Sequence, residues 1–234
     1  MAAPGRGRLR DGAAEAGQAQ LRIAVPSKGR LREPAIVLLE DAGLGPETPG
    51  DRALAFPCRN APLEGLLVRA DDVPEYVQDG VVDCGITGID IVRESGARVT
   101  EMLRLGFGHC SLEAAVPAES DVDSVEDLAG ARVATSFPRL AREFLPESIE
   151  LVDVHGSVEL APRLGLADAI VDLVSSGNTL RTNGLRSLGV LLPSEAILVA
   201  SDDGERAASF AAMLRAVVEA RRHRYLMLNA PESA

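Results

Sequence analysis

A stretch late in the chain combines an acid, small hydroxyls and a glycine in an order that suits a phosphorylated sugar. The apolar run Ala169–Val174 predicts a buried strand that carries one acid, Asp172. The turn that follows it, before a helical pattern begins, consists of Ser175, Ser176, Gly177, Asn178 and Thr179. Such a turn presents backbone N–H groups and hydroxyls to an anion, and an acid just upstream suits ribose hydroxyls. The stretch indicates a ribose phosphate site, although a Ser/Gly turn after a strand is usually only a turn.

Charged residues also stand in other turns that follow or precede predicted strands. Lys28 and Arg30 follow the first strand, in the position where open α/β sheets bind ligands, although a solvated basic turn has the same appearance. Asp90 opens one helix and Glu159 lies in the first turn of another, where the helix dipole alone favours an acid. Arg52 precedes a short apolar stretch. These residues are candidates for binding a charged ligand.

The composition excludes several classes of protein. The 234 residues are 46% hydrophobic and only 3% aromatic, with a net charge of −11 and no basic cluster, so nucleic-acid binding is not expected. The three cysteines, Cys58, Cys84 and Cys110, include no CxxC pair, which favours partly buried thiols in a reducing cytoplasm. No apolar run reaches the about 18 residues that suggest a membrane-spanning helix. Residues 1–20 lack the apolar core of a secretory signal, and we predict a disordered tail there.

Strands alternate with helices along the remainder of the chain, which predicts an α/β fold with mainly parallel sheets. Gly106, Phe107 and Gly108 form the best candidate hinge, and the chain is expected to return near Leu188. The predicted lobes are therefore residues 21–106 plus 188–234, and residues 107–187. Since the candidate turns follow carboxyl ends of strands, we expect them to converge on a cleft between the lobes.

Five segments, taken in order, resemble the catalytic subunit of the ATP phosphoribosyltransferase family. They are Lys28-Gly29-Arg30, DVPEYVQDGVVDCGITGID (residues 72–90), ATSFP (134–138), GSVELAP (156–162) and DLVSSGNTLRTNGL (172–185). Each motif alone is weakly specific, but the five in order are strong, and the resemblance covers about residues 21–231. It implies a two-lobed fold similar to type II periplasmic binding proteins, with the active site in the cleft between the lobes.

The resemblance also implies a reaction. Adenine N1 of ATP attacks the anomeric carbon of phosphoribosyl pyrophosphate, with Mg²⁺, and N1-(5-phosphoribosyl)-ATP and pyrophosphate form in the first step of histidine biosynthesis. By position, the turn at residues 175–179 would hold the 5-phosphate and Asp172 the ribose hydroxyls. Lys28, Arg30 and Arg52 would clamp the pyrophosphate, and Asp90 and Glu159 would lie near the adenosine or ribose.

The sequence departs from the family pattern in a few places. Ser176 stands where the family usually has Thr, and both supply a hydroxyl; Ser27 lengthens the turn before Lys28. The sequence ends where longer members enter a C-terminal regulatory domain. We therefore expect a short-form catalytic chain that forms homo-oligomers and associates with a regulatory subunit similar to histidyl-tRNA synthetase.

Two other functions fit parts of the pattern. A solute-binding or effector-binding module would share the two-lobed fold, because fold does not fix function. A phosphoribosyltransferase acting on another base would usually carry two adjacent acids before its phosphate loop, whereas Asp172 stands alone.

Overall fold

The secondary structure follows the alternation expected from the sequence. A computed structural model describes residues 20–46, 54–201 and 205–222. In chain order the strands are β1 (Leu21–Pro26), β2 (Ala55–Pro57), β3 (Leu63–Val68), β4 (Cys84–Gly88), β5 (Thr100–Arg104), β6 (Cys110–Pro117), β7 (Arg132–Thr135), β8 (Glu150–Asp153), β9 (Ala169–Val174), β10 (Leu185–Ser194) and β11 (Ala196–Ala200). The α-helices are α1 (Arg32–Asp41), α2 (Val73–Gln78), α3 (Ile89–Ser95), α4 (Pro138–Phe144), α5 (Asn178–Thr182) and α6 (Glu205–Arg222).

The first sheet has the strand order β2-β3-β1-β4-β11-β5. Its centre, β3-β1-β4, is parallel, and the other strands pair antiparallel. Because side chains alternate along a strand, Ile23 and Val25 of β1 face a core with α1 and α6, whereas Ala24 faces a core with Val73 of α2. Helices therefore cover both faces of this sheet, as its apolar strands require.

The second sheet has the order β10-β6-β9-β7-β8, with β9-β7-β8 parallel and β6 and β10 antiparallel. It too is buried on both faces. Leu112 and Val133 belong to the core that includes α4, and Ile170 belongs to the core beneath α5. Each sheet is thus a parallel α/β unit, as the alternation predicts, extended by antiparallel strands.

Within the described residues, the chain crosses between the sheets twice. The first crossing lies between β5 and β6 and contains Gly106 and Gly108, both in the left-handed region with φ of +72° and +66°. The second crossing lies at Glu195, between β10 and β11. The two crossings run side by side, because the Ala196 N–H donates to the Phe107 carbonyl at 2.9 Å.

The return to the first sheet falls later than the expected position near Leu188. Leu185–Ser194 is one strand that pairs with β6, with irregular register between Ser187 and Gly189 and again between Val190 and Leu192. A bulge breaks the alternation of side chains that marks a strand in a sequence. Residues 188–194 therefore belong to the second sheet.

Several predictions concern residues outside the described part of the chain. The tail predicted over residues 1–20 is among them, except Gln20, and so is Arg52. The cysteines are as expected, with Cys58 and Cys84 buried and Cys110 partly buried. None of the described helices is both long and apolar enough to cross a membrane.

Candidate active site

The loop at residues 175–179, here called the phosphate loop, lies between β9 and α5. Its turn depends on Gly177, which adopts φ +68° immediately before Asn178 begins the helix. Ser175 and Ser176 are exposed, so their hydroxyls and the backbone N–H groups of the turn are accessible to a ligand. The loop borders a pocket of about 500 Å³. Its other lining residues include Ser111, Glu113, Arg181, Arg186 and Ser187.

Asp172 and Glu159 are brought together beside this loop. Burial raises the pKa of the Asp172 carboxyl above its usual value, and the nearby Glu159 charge raises this pKa further. The Leu173 N–H donates to the carboxyl at 2.8 Å, which lowers the pKa and partly offsets the rise. Glu159 lies in a short 3-10 turn, Val158–Leu160, that packs against β9. Ser157 precedes this turn with φ +40° and makes no side-chain cap hydrogen bond to it. Glu159 is therefore near enough for its charge to act on Asp172, the acid of the strand that leads into the phosphate loop.

The basic turn after β1 has the geometry that its sequence predicts. Gly29 has φ +78°, a conformation that glycine adopts without a steric penalty. Lys28 is exposed. Arg30 turns toward the two crossings, where its Nη1 donates to the Gly108 carbonyl at 2.9 Å and its Nη2 lies 3.2 Å from both carboxylate oxygens of Asp90.

Asp90 occupies a different environment from the other predicted site residues. Its side chain is 1% exposed, against 31% for that of Arg30. The Ser194 hydroxyl donates to Asp90 Oδ1, and the Asp90 N–H donates to Ser194 Oγ at 3.1 Å. These partners enclose the carboxylate, and the predicted place of Asp90 near the adenosine or ribose stays a prediction.

A second pocket of about 500 Å³ opens between the two sheets. Arg69, Asp71 and Glu94 line it from the first sheet, and Ser136 and His155 from the second. Our predicted site residues do not include Arg69, although it directly follows strand β3, the same signal that identified Lys28 and Arg30. His155 is the least enclosed of the lining residues named here, since its side chain is 89% exposed.

Metal binding by side chains alone is not suggested by the described residues. They contain no group of three or more His, Cys, Asp and Glu residues that could hold an ion. Among the predicted site residues, they provide the Asp172 and Glu159 carboxylates on the second sheet and the Lys28 and Arg30 cations on the first.

Two lobes, each with a parallel centre, two adjacent crossings and a cleft between the lobes define a fold of the type II periplasmic-binding-protein class. Solved structures show the same fold: a substrate binding protein of an amino acid ABC transporter superposes with a TM-score of 0.54 at 13% identity, covering 86% of this chain and 92% of that one. Sequence comparison then identifies the family. The HisG model, described as ATP phosphoribosyltransferase, matches residues 69–220, and the chain belongs to that family.

Individual relatives agree with this assignment. The ATP phosphoribosyltransferase of Methanopyrus kandleri is 45% identical over 217 residues, which cover 90% of this chain and 77% of the relative. In the ATP phosphoribosyl transferase (HisG:HisZ) complex from Thermotoga maritima, the matching chain has a TM-score of 0.73 at 28% identity, covering 86% of this chain and all of that one. Enzymes of this family transfer the 5-phosphoribosyl group of phosphoribosyl pyrophosphate to N1 of the adenine of ATP, which is the first step of histidine biosynthesis.

Proposed function

We propose that phosphoribosyl pyrophosphate binds across the two lobes of this chain during that reaction. The phosphate loop holds the 5-phosphate through Ser175, Ser176, Gly177, Asn178 and Thr179. Asp172 and Glu159 accept hydrogen bonds from the ribose hydroxyls. Lys28, Arg30 and Arg52 clamp the pyrophosphate from the first lobe. In this arrangement each lobe is built around one sheet. The first lobe consists of residues 21–106 together with the chain that returns after β10, and the second lobe is the segment between them.

The observation that carries the proposal is that Asp172 lies in β9, which leads into the phosphate loop, and that the turn carrying Glu159 packs against β9. Burial and the Glu159 charge both oppose ionisation of Asp172, so the fold alone does not favour the charged form of this carboxyl. A vicinal diol supplies two O–H donors to two carboxylates, which relieves that opposition. The phosphate loop follows Asp172 in the chain, at a place that the 5-phosphate of the same sugar would reach.

Catalysis in this arrangement depends on positioning and on charge. The reaction breaks the bond from the anomeric carbon to the pyrophosphate oxygen while adenine N1 forms a bond to that carbon, so the leaving group gains negative charge. Preorganised cations aimed at this group stabilise the transition state more than the ground state. Arginine suits the task because its planar fork of N–H donors matches phosphate oxygens.

Mg²⁺ would reach this site with the substrates. The ion usually keeps several waters and binds through one or two carboxylates together with substrate phosphates. Asp172 and Glu159 are the carboxylates proposed above to bind the sugar, and they would be available to the ion. When bound, the ion would neutralise part of the charge of the pyrophosphate, so the net charge of −11 on the chain need not repel the substrate.

The decisive experiment is product formation from ATP and phosphoribosyl pyrophosphate with Mg²⁺, followed by near-ultraviolet absorbance and confirmed by mass. We expect Arg52→Ala to lower turnover by about 10² to 10⁵ fold, as loss of other phosphate-clamping arginines does. The matched control is Arg98→Ala, which removes an exposed arginine outside the proposed site. Wild-type turnover of Arg52→Ala at saturating substrates would refute the clamp. Tight ligand binding without product would instead indicate a binding module.

We also propose that the chain forms homo-oligomers and assembles with a regulatory subunit similar to histidyl-tRNA synthetase, in the cytoplasm. The support is the likeness to the catalytic chain of the Thermotoga maritima HisG:HisZ complex. The same assay, run with and without such a subunit on material of known mass from size-exclusion chromatography, tests this. A chain that neither binds the subunit nor changes its turnover in its presence would contradict the proposed assembly.

A further inference from the structure

The buried Asp90 carboxylate lies where the two lobes meet. Asp90 is in the first turn of α3, Ser194 ends β10 of the second sheet, and Gly108 belongs to the crossing before β6. Arg30 joins all of them, since it contacts Gly108 and Asp90 directly and Asp90 is bonded to Ser194. The Arg30 guanidinium is therefore linked to both lobes, directly through Gly108 and Asp90 and indirectly through Ser194.

These contacts fix the orientation of the Arg30 fork but do not use all of its donors. A guanidinium has five N–H donors, and the contacts to Gly108 and Asp90 engage its two terminal nitrogens. With the side chain 31% exposed, part of the fork still faces solvent. Because Nη2 is shared between both Asp90 oxygens at 3.2 Å, rotation of the guanidinium about its long axis would break contacts on one side.

The support beneath Asp90 is itself rigid. Position 88 is glycine because a Cβ there would collide with Asp90 Oδ1, so the backbone of β4 packs directly against the carboxylate. At the other end of α3, Glu94 accepts hydrogen bonds from the Arg139 and Leu140 N–H groups at 2.9 Å each. The helix that carries Asp90 is thus held at both ends.

From this geometry we propose that Asp90 is a positioning residue, which sets the Arg30 guanidinium in the direction of the pyrophosphate and does not itself contact the substrate. The inference rests on the proposed role of Arg30 as a clamp. An anion that gains charge in the transition state is stabilised most by a donor that needs no reorientation at that moment. Loss of Asp90 should therefore lower turnover more than it weakens substrate binding.

The test is a double-mutant cycle on Arg30→Ala and Asp90→Asn, with turnover measured in single-turnover experiments and KM measured for both substrates. We expect Asp90→Asn alone to lower turnover by up to about 10² fold, the loss that a displaced catalytic group can cause. Both KM values should change by less than about threefold, which assigns the loss to the transition state. In the Arg30→Ala background, the same Asp90→Asn change should lower turnover by less than about twofold.

The outcomes separate this inference from the proposed function. If Arg30→Ala turns over like the wild type, the clamp itself is wrong. If Arg30→Ala is impaired and Asp90→Asn causes the same further loss in both backgrounds, Asp90 acts by substrate contact or through the fold, and the positioning role is refuted.

If Asp90→Asn folds poorly, a second variant, Ser194→Ala, tests the proposal and Asp168→Asn serves as its control. Ser194→Ala keeps the carboxylate and removes the hydroxyl that donates to it, so it should lower turnover in the same direction but less. Asp168→Asn is the matched control, because it removes an Arg–Asp pair, with Arg132, that lies outside the proposed site. A Ser194→Ala turnover equal to that of Asp168→Asn would also count against the proposal.

Discussion

The Asp172 carboxylate is held in an environment that opposes its charge. Burial raises its pKa above the usual 3.8, and the neighbouring Glu159 adds to this effect. A carboxyl whose pKa is higher in the folded state than in the unfolded state stabilises the fold fully only below the unfolded pKa. That contribution is lost as pH rises through the folded pKa, so at neutral pH the ionised Asp172 lowers the free energy of unfolding.

We predict that Asp172→Asn stabilises the fold and impairs the enzyme. The amide fills nearly the same volume without a buried charge, so the melting temperature at pH 7 should rise above that of the wild type. The difference should shrink as the pH falls through the raised pKa of the folded wild-type carboxyl and should vanish below the ordinary value of 3.8. Thermal unfolding across this pH range measures the effect, and the KM for phosphoribosyl pyrophosphate should rise because an amide is a poorer acceptor for ribose hydroxyls. A melting temperature equal to or below that of the wild type at pH 7 would contradict this account.

At the residue scale, the sequence predicts local sites better than it predicts distant pairs. The loop at residues 175–179 is predictable as a strand-to-helix turn because its small polar residues are consecutive and follow one apolar strand. The Arg30–Asp90 pair joins residues 60 positions apart, and the Ser194–Asp90 bond spans 104 positions. Each of these residues has an ordinary local role, as a basic turn or a helix start, so only the tertiary structure shows that they act on one another.

Helix α3 is the element that links the lobes. Its C-terminal part contacts α4 of the second lobe through Glu94, which binds two backbone N–H groups at the start of α4, and through Arg93, which pairs with Glu143 and lies over the Phe144 ring. The first N–H groups of a helix have no partner within it, so a carboxylate supplied by another element satisfies them and complements the helix dipole.

We predict that Glu94→Ala lowers the stability of the protein by about 0.5 to 2 kcal/mol, the usual cost of removing a side-chain cap from a helix N-terminus. Chemical denaturation gives this value. Glu147→Ala, a change of an exposed glutamate soon after α4, serves as the control and should have little effect. If the two variants unfold at the same denaturant concentration, the contact between α3 and α4 contributes nothing to stability.

Elements were predictable where local signals are strong. Strands β1, β9 and β11 coincide with apolar runs in the sequence. Pro138 begins α4, in the first turn of a helix, where proline is common. Strand β10 is hard to recognise in the sequence, because its bulges interrupt the alternation of side chains and Gly189 weakens the pattern. The antiparallel direction of β6 and β11 follows from the crossings between sheets, which no local pattern encodes.

On the scale of the whole molecule, the two lobes are joined by the paired crossings at Gly106 to Gly108 and Glu195, and by α3. The described groups proposed to bind phosphoribosyl pyrophosphate are divided between the lobes. Lys28 and Arg30 lie on the first lobe, and the phosphate loop lies with Asp172 and Glu159 on the second. A ligand that contacts both lobes therefore couples them, whereas a fragment that contacts only one leaves the other unchanged.

This division predicts how the substrate and its pieces affect unfolding. At about 100 times its Kd, phosphoribosyl pyrophosphate with Mg²⁺ should stabilise the fold by about 2.7 kcal/mol, or roughly 5 to 10 °C in melting temperature for a chain of this size. Ribose 5-phosphate would reach only the second lobe and pyrophosphate only the first. Together, at the same concentrations, they should give a smaller shift, because covalent linkage makes the second contact intramolecular. Differential scanning fluorimetry compares the ligands directly. Equal shifts for the intact substrate and for the mixed pieces would mean that the substrate is held by one lobe alone, and the division of the site between the two lobes would then be wrong.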